Sequence, residues 1–79
     1  MAKSIHRKEY TVLIEVVRDA RIAAGLTQAQ VSEKLGRSQS FISDVELGKR
    51  RLDIVELRDI ANICGLSLTK LITVFERRL

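Results

Sequence analysis

The sequence predicts a compact all-α domain of five short helices spanning residues 1–79, and three observations carry that expectation. The chain has no proline, and its apolar content of 46% is mostly aliphatic, with aromatics at 4%; such a composition leaves helices unbroken. Apolar residues recur at spacings of three and four in successive segments. The four glycines, Gly25, Gly36, Gly48 and Gly65, each stand just after such a segment, where a helix C-terminus favours a residue free to turn left-handed. A chain of 79 residues builds one small core and no more.

The first helix is expected from about Ile5 to Ala24, with Tyr10, Leu13, Ile14, Val17, Ala20 and Ala24 on one face and Gly25 ending it. Its run "TVLIEVV" is rich in β-branched residues, but its length and the lack of partner strands decide for helix. Thr27 opens the second helix. With Gln30 it fits a capping box, in which the hydroxyl accepts from the Gln30 N–H and the Gln30 side chain reaches back. Ala29, Val31 and Leu35 supply its apolar contacts and Gly36 stops it. Only Arg37 separates Gly36 from the next expected cap, Ser38. The third helix then runs from Gln39 to about Leu47, with Ile42 and Val45 inward, Phe41 on the flank and Gly48 at its end. Asp53 and Glu56 form a second box ahead of a helix whose stripe is Leu57, Ile60, Ala61 and Cys64. Ser67 caps the fifth helix, where Leu68, Leu71, Ile72, Phe75 and Leu79 recur at helical spacing.

Charge and special residues narrow the function classes. Fourteen Lys and Arg against ten Asp and Glu give +4, which by itself fits a polyanionic partner and plain solvation about equally. One cysteine and one histidine make an intrachain disulfide impossible and a structural zinc site implausible. Cys64 reads as a small core hydrophobe. The opening "MAKSIHRKEY" is basic but no signal-peptide h-region follows it, and "TVLIEVV" is too short and too charged to span a bilayer. No carboxylate pair or phosphate-cradling loop appears, and His6 is far in sequence from Cys64, so no enzyme is expected. No cofactor, metal, membrane or small-molecule ligand is expected.

The stretch "TQAQVSEKLGRSQSFISDVELGKRR", from Thr27 to Arg51, carries the functional signal. Two short capped helices joined by a turn of roughly three residues make a helix-turn-helix, which leaves its second helix protruding. With Ile42 and Val45 inward, the outward face holds Gln39, Ser40, Ser43 and Asp44. Gln pairs with the N6 and N7 of adenine, Ser donates to or accepts from several bases, and Asp accepts from cytosine N4. Arg37 and Ser38 in the turn, and Lys49, Arg50 and Arg51 after the helix, suit phosphates on either side of a groove. Lys3, His6, Arg7 and Lys8 near the N-terminus read as a solvated basic segment.

"RIAAGLTQAQVSEKLGRSQSFISDVELGKR", with "GLSL" further on, resembles the DNA-binding domain of the phage repressor/Cro (Xre-type) helix-turn-helix family. The resemblance covers about Val17 to Ile72. It implies a five-helix lambda-repressor-like fold, operator DNA as partner and a symmetric homodimer. By position it makes Gln39, Ser40, Ser43 and Asp44 base-reading residues. It makes Gln28 a phosphate contact that also braces Gln39, and Lys49 a backbone contact. It pairs Arg21 with Glu46 as a structural salt bridge. Ser32 departs from the family's usual alanine, and its hydroxyl needs a partner.

A single such helix reads few base pairs, so a two-fold dimer is expected. The dimerising element is placed in the C-terminal helix, at about 67–79, through Ile72, Phe75 and Leu79. The resulting expectation is a cytoplasmic, nucleoid-associated regulator of bacterial or phage origin. The alternative is a protein-interaction or antitoxin-like module in which DNA binding is secondary.

Overall fold

The structure, a computed structural model, describes residues 7–79. The expected helix start at Ile5, and the basic residues Lys3 and His6, lie outside the described residues. Five helices follow in order: α1 Lys8–Ala23, α2 Gln28–Lys34, α3 Phe41–Glu46, α4 Ile54–Ile63 and α5 Leu68–Arg78. The described residues contain no strand. The Cα radius of gyration is 11.8 Å, against about 12 Å for a compact domain of this length.

Three of the expected caps form. Thr27 Oγ1 accepts from the Gln30 N–H at 3.1 Å, and the Thr27 N–H donates to Gln30 Oε1 at 2.8 Å. Asp53 and Glu56 make the same reciprocal pair at 2.7 and 3.0 Å. Ser67 Oγ accepts from the Lys70 N–H at 3.0 Å. Each cap satisfies N–H groups that a helix cannot pair internally.

The C-termini of α1 to α4 share one device. At α2, the Gly36 N–H reaches Glu33 O at 2.9 Å and the Arg37 N–H reaches Ser32 O at 3.0 Å. This closure needs a positive φ at its glycine, and Gly36 has φ +70°, which costs a residue with a Cβ much more. The chain therefore reverses sharply between α2 and α3, and the geometry of the pair depends on that glycine. The same two bonds close α3, from Gly48 to Val45 O at 3.0 Å and from Lys49 to Asp44 O at 2.8 Å.

Expectations for the start of α3, for Phe41 and for the buried face of α1 need correction. The third helix begins at Phe41, not Gln39: Gln39 and Ser40 are the middle of a turn closed by the Phe41 N–H on Ser38 O at 3.0 Å. Ser38 thus serves through its carbonyl rather than its hydroxyl, and the link between α2 and α3 is longer than roughly three residues. Phe41 is core rather than flank, at 6% exposure. On α1, Val16 is buried whereas Ala24 is exposed. The reason is that α5 covers a second side of α1: Val16, Ala20 and Ala23 line a groove with Val74 of α5.

The core is built from Ile14, Val16 and Val17 of α1, Val31 of α2, Phe41, Ile42 and Val45 of α3, Leu57, Ile60 and Ala61 of α4 and Leu71 of α5. Helix α1 packs against α3, α4 and α5, and α2 packs against α3 and α4. Sealing Ile42 alone contributes about 1.5–3 kcal/mol. Leu68 is half-buried against this core, as are Cys64, Ile72, Val74 and Phe75. Burial pushes the Cys64 thiol above its ordinary pKa, which keeps it protonated and poorly nucleophilic. No helix among the described residues is long and apolar enough to cross a membrane.

Candidate nucleic-acid interface

The sequence of α3 divides its surface. Ile42 and Val45 are sealed at 1% and 0% exposure. Three-residue spacing puts both on one side, and the opposite side is left to solvent. Gln39 and Ser40 are exposed; Ser43 and Asp44 are half-exposed. Leu47, which follows them, is exposed at 66%. Of the four expected base-reading residues, two therefore lie in the turn and two on the helix, and none is buried.

A hub of buried charge anchors α3 to α1 and α2. Arg21 Nε donates to Glu46 Oε2 at 2.6 Å and its Nη2 donates to Oε1 at 3.0 Å. Its Nη1 reaches the Leu26 carbonyl at 3.0 Å. The hydrogen bonds to Glu46 push the Arg21 pKa above its ordinary value, while partial burial pulls it down. The pairing expected from the family resemblance is thus present in bidentate form. Gln28 Nε2 also donates to Glu46 Oε1, at 2.9 Å. This corrects the expectation that Gln28 braces Gln39, whose side chain makes no hydrogen bond among the described residues. Glu46 has the stronger hold because an ionised acceptor makes the stronger bond.

Ser32 supplies what Ser38 and Ser40 do not. Helix α3 has no side-chain cap of its own. Instead the Ser32 hydroxyl, wholly buried in α2, accepts from the Ile42 N–H at 3.1 Å. A hydroxyl from the neighbouring helix therefore caps the protruding one and pins its first turn. The need for a partner was legible in the buried position of a serine; the identity of the donor was not. Ser32→Ala is expected to lower stability by about 1–2 kcal/mol, by leaving a buried N–H unpaired. Urea denaturation checks this, and an unchanged midpoint would refute the cap.

The flanking cations are organised rather than loose. Arg37 Nη2 and Arg50 Nη2 each lie 2.7 Å from Glu56 Oε2. Both guanidiniums also sit over the Phe41 ring, with Cζ at 4.6 and 5.0 Å from its centroid. Arg50 donates further to the Arg51 carbonyl. Arg51 stands over the Tyr10 ring at 5.7 Å, and the Tyr10 hydroxyl accepts from the Leu52 N–H at 3.1 Å. The basic loop is thereby tied to α1. The Glu56 carboxyl is held below its ordinary pKa, first by the Asp53 N–H and then by Arg50 and Arg37, against the opposing effect of burial. Lys49 is exposed and forms no ion pair among the described residues. Glu56 was read from the sequence as a cap alone; an acid close behind the triplet Lys49–Arg50–Arg51 was the available signal.

Helices α2 and α3, the glycine-closed turn between them and the polar outer face define a helix-turn-helix domain. Residues 17–71 match the helix-turn-helix family, and the chain belongs to that family, in its XRE type, whose members are DNA-binding regulators. Its fold is similar to that of an XRE-family like protein from Pseudomonas syringae pv. tomato str. DC3000, with a TM-score of 0.85 and 37% identity, covering 95% of this chain and 92% of that one. Over 49 residues the chain is also 37% identical to the uncharacterized HTH-type transcriptional regulator y4dJ of Sinorhizobium fredii (strain NBRC 101917 / NGR234), covering 62% of this chain. The match spans 64% of that relative's length.

Proposed function

We propose that the domain binds double-stranded DNA sequence-specifically, as a small transcriptional regulator, with the stretch from Gln39 to Leu47 in the major groove. One observation carries this reading: the helix that seals Ile42 and Val45 in the core leaves Ser43 and Asp44 partly exposed, just after the exposed Gln39 and Ser40. A major groove about 12 Å wide accepts such a helix. Gln39 reads adenine, Ser40 and Ser43 adapt to their bases, and Asp44 accepts from cytosine N4. Gln28, Arg37, Ser38, Lys49, Arg50 and Arg51 hold the backbone on either side.

A homodimer presents two such surfaces about 34 Å apart on one face of the duplex. Its contact is assigned to Ile72, Phe75 and Leu79. Leu79 is 57% exposed, and Phe75 lines an open groove with Tyr10 and Leu13. Regulation of this kind acts in the cytoplasm, on the nucleoid, and needs no cofactor or small-molecule ligand.

The test begins with binding to a random-sequence duplex over a range of salt, where log affinity falls linearly with log salt for a phosphate-driven contact. Binding that is absent, or indifferent to salt, sinks the proposal. On sequences selected from genomic fragments, Gln39→Ala is expected to lose about 1–3 kcal/mol of discrimination at one base of each half-site. Equal losses on selected and random DNA would remove Gln39 from the reading surface.

A further inference from the structure

We infer that Glu56 is a positioning residue for DNA binding: one carboxylate oxygen, shared by Arg37 and Arg50 at 2.7 Å each, holds the two guanidiniums as a preformed clamp for the phosphates beside α3. This rests on the DNA-binding reading above. The two arginines approach from opposite ends of the same helix, Arg37 from the turn before α3 and Arg50 from the loop after it. Glu56, reaching across from the start of α4, meets both of them, as the Phe41 ring does. Glu56 does this while its other oxygen accepts from the Asp53 N–H at 3.0 Å and from Arg50 Nη1 at 3.3 Å.

The burial gradient gives the arrangement its direction. The Glu56 side chain is 13% exposed, whereas those of Arg37 and Arg50 are 43% and 40% exposed. The acid thus lies beneath and the guanidiniums face solvent. Each guanidinium has five N–H donors in a rigid fork; Arg37 spends one on Glu56, so donors remain for a phosphate. Phe41 lies below both cations and limits how far either can swing. A flexible arginine loses rotamer freedom when it grips a phosphate, and one already held loses less. The cluster keeps one net positive charge, since one carboxylate offsets one of two guanidiniums.

A purely structural Glu56 predicts the opposite outcome on substitution. Glu56→Gln keeps the capping box, because glutamine serves at that position as well, and it raises the local charge by one. If the acid only caps α4, affinity for a random duplex rises and the salt dependence steepens. If it positions the arginines, affinity falls about tenfold and the slope shrinks by about one despite the added charge. Random DNA suffices, because phosphate contacts carry no sequence information.

The experiment measures salt-dependent binding of the full chain to a random-sequence duplex for wild type, Glu56→Gln, Arg37→Ala and the double variant. Thermal melting establishes that each variant is folded. Arg37→Ala is expected to cost several-fold in wild type and little in the Glu56→Gln background; a cap alone produces no such coupling. A wild-type chain without duplex binding overturns the DNA-binding reading and the clamp with it. A wild type that binds, beside a Glu56→Gln variant that binds equally or more tightly, overturns the clamp alone.

Discussion

Arg21→Met is expected to lower folding stability by about 3–5 kcal/mol, the range for removing one partner of a buried ion pair. The Glu46 side chain is 5% exposed and Arg21 supplies two of its hydrogen bonds. Without the guanidinium, the carboxylate keeps only the Gln28 amide at 2.9 Å, and a charge shielded from water has no counter-charge. The Leu26 carbonyl loses its donor as well. A domain of this size has a total stability of only about 4–12 kcal/mol, so the variant is expected to be partly unfolded at ordinary temperature. Urea denaturation followed by circular dichroism measures the loss. The double variant Arg21→Met, Glu46→Leu should recover much of it, because removing both charges also removes the unpaired one. An unchanged midpoint in the single variant would show that Glu46 is solvated after all.

Which features were legible in the sequence follows from how local their chemistry is. The caps at Thr27, Asp53 and Ser67 were readable because donor and acceptor lie three residues apart, and each formed as expected. The outward face of α3 was readable from the inward pair Ile42 and Val45 by helical period alone. Ser38 misled because a serine ahead of an apolar run ordinarily caps it. Here the capping hydroxyl comes from Ser32, on another helix, and no local pattern reports a bond of that kind. Arg21 and Glu46 were paired through family resemblance, since periodicity does not link residues 25 apart. Glu56 shows a further limit. Its capping role is local and was seen, whereas its hold on Arg37 and Arg50 depends on where the packing of α4 against α1 and α2 places it.

Phe41→Ala is expected to cost about 3–5 kcal/mol, the usual range for truncating a buried phenylalanine. The ring is 6% exposed in the core with Ile42 and Val45. It is also the first residue of α3, so its anchorage fixes where the helix leaves the turn at Gln39 and Ser40. Phe41→Leu separates the two roles of the ring. Leucine retains most of the buried volume and should cost under about 1.5 kcal/mol on packing grounds. It removes the π-face beneath Arg37 and Arg50, where each cation–π contact is worth about 0.5–1 kcal/mol at this degree of exposure. Denaturation should therefore rank wild type above Leu and Leu well above Ala, with duplex affinity in the Leu variant falling further than its folded population. If Phe41→Ala loses less than about 1 kcal/mol, far below the range for a buried ring, then α3 is held without this residue. The shared support under the two arginines would then have to come from Glu56 alone.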